Sequence, residues 1–338
     1  MAEIAEQQGK ILGALSGTAT VWGLELALRL GILEHLENTP EGATVEQVAS
    51  ALELDAQYTH VVLRAAYAGE VLERDADGRY RLADHMGVVL LDPDAPGYLG
   101  GAVKTFVALR EVFLNLRELA HDGGRRWWSD MDPEWIEAVG EHGQTYYRRL
   151  LNAVVPQLPA VQEALERGAR YLDLACGVCK GPAKIVDAYP QTSVTAVDGD
   201  RYTLELAARE MGQRGIGDRF RLVHSMLEDL DIEGGHDLAL INISLHEARD
   251  IQRVVERTYA ALDEGGTFIV SEFPFPEHEE DTRTVPGRLM CGVQFFEAYI
   301  GCQLLPASRF VEHLEKAGFT DVGVIDVTPM HVVIHGSK

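Results

Sequence analysis

A doubly wound α/β domain preceded by a mainly helical domain is the fold class this sequence predicts, and three observations carry it. The first is Leu172-Asp173-Leu174-Ala175-Cys176-Gly177-Val178-Cys179-Lys180-Gly181-Pro182, an apolar strand, a small-residue turn and the opening of a helix. The second is Val194-Thr195-Ala196-Val197-Asp198, an apolar strand that ends in a carboxylate about 20 positions after the glycine turn. The third is the alternation of strand and helix signals from there onward, after a first stretch of roughly 90 residues dominated by helical periodicity.

The N-terminal stretch divides into helix, helix, helix and hairpin. Trp22, Leu24, Leu26, Ala27, Leu30, Ile32 and Leu33 form an apolar stripe near helix spacing, with Gly31 as a stop. Thr44 is a candidate N-cap for a short helix from Val45, and a further helix follows Asp55, from Tyr58 through Tyr67. Val71–Arg74 and Tyr80–Leu82 flank Asp77-Gly78 as a hairpin. This is a winged-helix pattern, which on its own suggests DNA binding. Its presumed recognition helix, Asp55-Ala56-Gln57-Tyr58-Thr59-His60-Val61-Val62-Leu63-Arg64-Ala65-Ala66-Tyr67-Ala68, carries one Arg and no basic cluster, so residues 1–95 are expected to form a dimerisation domain.

Residues 96–165 are expected to be a helical connector that contributes to the substrate pocket. Leu99 to Leu119 is periodic and apolar, and His121-Asp122-Gly123-Gly124 breaks it. Arg125 and Arg126 precede Trp127, Trp128 and Trp135, and another helix begins at Gln144-Thr145-Tyr146-Tyr147-Arg148-Arg149. The tryptophans suit packing, an interface or substrate stacking, and the arginines suit a surface or a substrate carboxylate.

From residue 166 the pattern is that of a doubly wound sheet. Phe220–Val223, Asp237–Asn242 and Thr267–Glu272 read as strands, Asp250 to Leu262 as a helix closed by Asp263-Glu264-Gly265-Gly266. Helices around Arg288–Ile300 and Ser308–Ala317 and two closing strands complete the chain.

Composition narrows the function. With 338 residues, 46% of them hydrophobic, the chain can bury two cores. A formal charge of -23 argues against nucleic acid and anionic membranes as partners. No unbroken run of about 18 apolar residues occurs, and the first residues lack a basic region followed by an apolar one, so a cytoplasmic location is expected. Cys176 and Cys179 form a C-x-x-C, but Cys291 and Cys302 lack zinc-knuckle spacing; the first pair reads best as small residues filling a tight turn.

The turn also selects a cofactor. A pyrophosphate wants several glycines and no carboxylate beside it, whereas Ala175, Gly177, Cys179 and Gly181 follow directly on Asp173. Asp173 suits an ammonium group and Asp198 a ribose diol. The run L-D-L-A-C-G resembles the first motif of class I methyltransferases, which bind S-adenosylmethionine; the family commonly has Gly at the Ala175 position. The winged helix, connector and C-terminal domain together resemble the two-domain small-molecule O-methyltransferases, in which the N-terminal domain makes a homodimer. Leu262, Glu264, Gly265, Gly266, Val270 and Glu272, with Ala317-Gly318-Phe319, extend the resemblance. Leu245-His246-Glu247-Ala248-Arg249-Asp250 is similar to that family's L-H-D-W-x-D. The resemblance implies His246 as general base for a small-molecule acceptor hydroxyl in secondary metabolism, with Glu272 orienting the imidazole. It implies a cofactor site of Asp173, Ala175, Gly177, Asp198, Gly199, Ser225, Met226, Leu227, Asn242 and Tyr146, and an acceptor site including Arg126, Trp128, Phe295 and Tyr299.

The pattern has gaps. The acidic residue that often flanks the base has no counterpart in Gly301–Pro306, Ser225 replaces an Asp before Met226, and Ala248 replaces the Trp. A second branch of the superfamily methylates carbon beside the ketone of α-keto acids with a bound metal. Resemblance to that branch implies His246 as ligand, with Glu297 near the place of its second. A third reading is a protein that binds S-adenosylmethionine and transfers no methyl group, as a regulator or a cyclase.

Overall fold

Helix α1 (Ile4–Arg29) opens the chain and packs by its last turns only. Leu24, Ala27 and Leu28 are buried with Ile32 and Leu33, whereas Trp22 and Leu26 of the expected stripe face outward with Ile11, Leu12 and Leu15. One side of α1 belongs to a core and the other does not. By length and composition alone, α1 would also suffice to cross a bilayer, although no unbroken apolar run marks it. Gly31, at φ 70°, turns the chain into α2 (Ile32–Glu37). Helix α3 (Val45–Ala51) is opened by a capping box between Thr44 and Gln47, and α4 (Ala56–Ala68) by the Asp55 carboxylate on the Gln57 and Tyr58 amides. Strands β1 (Leu72–Arg74) and β2 (Tyr80–Leu82) pair antiparallel as the wing, before α5 (Met86–Leu90).

The computed structural model describes residues 3–95, 97–131 and 133–338, which form two units divided between Arg110 and Glu111. The apolar run Leu99 to Leu119 is broken into α6 (Gly100–Ala108), which packs on α1 and α5 in the first unit, and α7 (Arg110–Asp122), which starts where the units divide. Helices α8 (Pro133–Arg149) and α9 (Pro159–Arg167) belong to the second unit, with a π turn at Leu150–Val154 between them. The expected connector is therefore shared between the two units.

The second unit is built on a seven-stranded sheet: β3 (Arg170–Leu174), β4 (Ser193–Asp198), β5 (Phe220–His224), β6 (His236–Asn242), β7 (Leu262–Glu272), β8 (Thr320–Thr328) and β9 (His331–Ser337), in the order β5-β4-β3-β6-β7-β9-β8. The first five are parallel, and β9 and β8 close the edge antiparallel. Helices α10 (Lys180–Ala188), α11 (Arg201–Gln213), α12 (Ile251–Ala261), α13 (Val285–Ile300) and α14 (Ala307–Ala317) complete it. Alternate strand residues face two apolar cores, Tyr171, Ala196 and Leu240 in one, Leu172, Val197 and Ile241 in the other. Strand order reverses between β3 and β6, which places a crevice at the carboxyl ends of these strands.

Candidate active site

The turn after β3 is tied to β4. Cys176 N–H donates to the Val197 carbonyl at 3.0 Å, and Gly177 N–H to Asp198 Oδ2 at 2.9 Å. Asp200 N–H reaches the other Asp198 oxygen at 2.9 Å. Burial pushes the Asp198 carboxyl above its ordinary range, against the pull of these amides. Ala175, Gly177 and Cys179 have φ of 54°, 54° and 59°, in the left-handed region that favours glycine. This gives a physical reason for the glycine that the resembled motif commonly has at the Ala175 position. A Cβ on Gly177 would meet nothing within 4 Å, so the turn is open there. Behind Asp198, a Cβ on Gly199 would lie 2.9 Å from Met226 Sδ, and Ser225 N–H bonds to the Asp198 carbonyl. Asp173, Ala175, Gly177, Asp198, Gly199, Ser225 and Met226 thus line one end of the sheet.

Asp173 is fully buried. Tyr147 Oη donates to its Oδ2 at 2.8 Å, and Tyr171 Oη donates to the same oxygen. Oδ1 has no hydrogen-bond partner among the described residues. Burial pushes the carboxyl up to about 7, opposed by the two phenols and assisted by the charge of Asp198. A buried carboxylate with one orphaned oxygen fits a cationic group such as an ammonium.

The second half of the crevice is at the ends of β6 and β7. Ile243, a β-branched residue at φ 53°, turns the chain after Asn242, where such strain marks a site under constraint. Its amide still pairs with the Ser271 carbonyl at 2.8 Å. The next residues curl around the Glu272 carboxylate: Leu245 N–H reaches Oε1 at 2.9 Å, and His246 Nδ1 donates to Oε2 at 2.7 Å. His246 therefore sits in a 3-10 turn, Leu245–Glu247, rather than at the end of the strand itself. Its Nε2 lies 3.1 Å from Glu297 Oε2 on α13, close enough for an ion pair. Neither atom makes a well-angled hydrogen bond. Burial alone would push the imidazole down, but the charges of Glu272 and Glu297 outweigh it and hold it well above its ordinary value.

Glu247 joins this cluster. Trp128 Nε1 donates to its Oε2 at 2.7 Å, and burial, then the charge of Glu297, push its carboxyl up to about 8. One ligating atom from each of His246, Glu247 and Glu297 falls within 4.8 Å of the others. Phe296 stands between Trp128 and Trp135, with ring centroids at 5.5 and 5.2 Å. Tyr146 packs edge-on against Phe273 and His331. Asn242 Oδ1 accepts from Ser271 Oγ, which also contacts His331 Nε2.

Four expected acceptor residues divide two ways. Trp128 is in the cluster through Glu247, and Tyr299 is buried. Phe295 is exposed, edge-on to Phe113, because the inward face of α13 is taken by Phe296 and Glu297. The Arg126 side chain is exposed, and its backbone amide bonds to the Tyr299 carbonyl. Leu227 opens a 3-10 turn and is half-buried. Glu247, Tyr147 and Tyr171 were not singled out from sequence. The first two lie in segments already marked, Leu245–Asp250 and Gln144–Arg149, but nothing in the sequence says which of their side chains turn inward.

Residues 14–91 match the family described as the O-methyltransferase dimerisation domain, and residues 172–268 match the one described as a methyltransferase domain. No curated protein matches the chain in sequence. Among solved structures, the chain is similar to PigF with SAH, at 22% identity, covering 100% of both chains with a TM-score of 0.69. It is similar to the apo form of the S-adenosylmethionine-dependent methyltransferase SibL, at 21% identity, covering 97% of this chain and 98% of that one, TM-score 0.70. Human N-acetylserotonin methyltransferase in complex with SAM matches at 17% identity, covering 100% and 98%, with a TM-score of 0.67. A match to the O-methyltransferase dimerisation domain followed by a match to a methyltransferase domain, in the order that these folds share, identifies a methyltransferase whose cofactor is S-adenosylmethionine.

Proposed function

We propose that this protein, as a homodimer formed through residues 14–91, methylates a hydroxyl of a small-molecule acceptor, with His246 as the base. The observation that carries this reading is the 2.7 Å bond between His246 Nδ1 and Glu272 at the carboxyl edge of the sheet. S-adenosylmethionine, when bound, supplies the methyl group on its sulfonium. Asp173 would hold its ammonium group and Asp198 its ribose diol, beside the open turn at Gly177.

Glu272 fixes the imidazole with Nδ1 as donor, so Nε2 is the atom that receives the acceptor's proton. The two carboxylates favour the charged imidazole at rest. Nε2 must therefore lose a proton before it can take one, and Glu297, 3.1 Å away, is placed to receive it. Proton removal matters most for a phenol or alcohol whose own pKa is well above 7, while positioning supplies most of the remaining acceleration. The test is incubation of the purified protein with methyl-labelled cofactor and a panel of phenols and alcohols. A labelled methyl ether is expected; label found only on carbon would sink the reading.

A second reading has one observation in its favour. His246 Nε2, Glu247 and Glu297 converge, and the Nδ1 donor bond to Glu272 is the support that metal-bound histidines commonly have. In this reading the three residues would hold a divalent metal that binds an α-keto acid, and methylation falls on its carbon. Stoichiometric metal in the purified protein, with activity on α-keto acids lost to a chelator, supports it; full activity in metal-free protein excludes it.

A further inference from the structure

The helix that follows the cofactor turn is closely approached by a side chain of α8. A Cβ on Gly181 would sit 2.2 Å from the Tyr147 ring, so the glycine that opens α10 makes room for a phenol from α8. That phenol is buried and ends on Asp173 Oδ2, the oxygen that also accepts from Tyr171. Two donors converge on one oxygen while the other, buried as deeply, has none among the described residues. An evenly solvated carboxylate would not divide its bonds in this way; a carboxylate completed by an outside donor would.

We propose that Tyr147 is a positioning residue for the cofactor: with Tyr171 it saturates one oxygen of Asp173 and reserves the other for the cofactor's ammonium group. The inference rests on the assignment of Asp173 to that group. Among the described residues, the titratable groups that interact with Asp173 include Tyr147 from α8, Tyr171 from β3, Asp198 from β4 and Cys176 from the turn. None of these four carries positive charge, and a cofactor ammonium would balance the Asp173 carboxylate. Cofactor binding is then linked to a proton. At low pH Asp173 is protonated, and the ammonium must displace that proton.

The carboxyl pushed up to about 7 sets the window. Below it the dissociation constant rises about tenfold per pH unit. Above about pH 8 the cofactor's own α-amino group loses its charge. The tightest binding lies between. Tyr147 stabilises the ionised carboxylate by donating to it, so its loss moves the acid limb upward, by about one pH unit.

The experiment is calorimetric titration of S-adenosylhomocysteine, which carries the same ammonium group, into the full-length protein from pH 5.5 to 9. Wild type, Tyr147→Phe and Asp173→Asn are compared. Expected are a one-proton acid limb in the wild type, the same limb at higher pH in Tyr147→Phe, and weak binding without an acid limb in Asp173→Asn. A flat wild-type profile overturns the inference without any variant. Equal weakening of Tyr147→Phe at every pH, with the limb unmoved, assigns Tyr147 a packing role and also overturns it. Unchanged affinity in Asp173→Asn removes the assignment of Asp173 itself, and the inference with it. If Tyr147→Phe does not fold, Tyr171→Phe removes the second donor to the same oxygen and is held to the same upward shift.

Discussion

Asp173 and Glu272 are both buried carboxylates at the carboxyl ends of parallel strands, and they are provided for in opposite ways. Glu272 is completed from within the chain, by the Leu245, His246 and Phe273 backbone amides and the His246 imidazole. Asp173 receives two neutral phenols on one oxygen and, among the described residues, nothing on the other. Burying a charge is costly unless it is paired. The pair at Glu272 is therefore a permanent part of the fold, whereas the partner proposed for Asp173 comes from solution. One carboxylate holds the imidazole proposed as the base, and the other is the one proposed to meet the cofactor.

Substitutions can break or sharpen this contrast. The largest effect is expected from His246→Ala, which should lower the methyl-transfer rate by about 10²–10⁴-fold while cofactor affinity, read by calorimetry, stays intact. An unchanged rate would remove His246 from the chemistry. Glu272→Gln breaks a buried pair and should lower stability by about 3–5 kcal/mol, seen as an earlier denaturant midpoint. Its pH dependence has a definite sign. The folded His246 is held above its unfolded value of 6.5, so the pair's stability is present below that value and lost as pH rises through the folded one. The wild type should therefore soften under alkali more than Glu272→Gln does.

Asp173→Asn should do the reverse to the cofactor-free protein. Its carboxyl rises on folding from 3.8 to about 7, so ionisation opposes folding above that range. The variant should be more stable at pH 8, by about 1–3 kcal/mol after the altered hydrogen bonds are counted, and the gain should shrink toward pH 4. A loss at pH 8 would mean that Asp173 is satisfied without a ligand. The smallest effect is expected in the turn after β3. Ala175→Gly relieves a left-handed alanine and should raise stability by about 1 kcal/mol in thermal melts.

The cofactor half of the site was the more legible in sequence. A strand, a small-residue turn and a second strand ending in Asp198 are local signals, and parallel pairing brings them together without further information. The departures from glycine were visible too, and the positive φ at Ala175 and Cys179 gives them a physical meaning. The acceptor half depends on side chains far apart in the chain. His246 and Glu272 stood out by motif, but the approach of Glu297 and Glu247 depends on how α13 is rotated, which periodicity gives only to within a residue. Phe295 illustrates this, being one position from the buried Phe296. Similarly, the outward face of α1 is as apolar as its inward face, so the pattern predicted a stripe without saying which part of it a core would cover.

The pairing of β6 with β7 has a consequence for how this enzyme can vary. Its irregularity lies between His236 and Leu238, at the amino ends of the strands, while the pairing runs without a break from Leu238↔Thr267 to Asn242↔Ser271. A slip of one residue would turn Glu272 to the opposite face of the sheet and away from His246. Length changes can be absorbed at the amino edge, where the strands already accommodate one. Insertions tolerated around Gly234–Leu238 and Leu262–Gly266 and rejected around Asn242–His246 would be the evolutionary signature of that asymmetry.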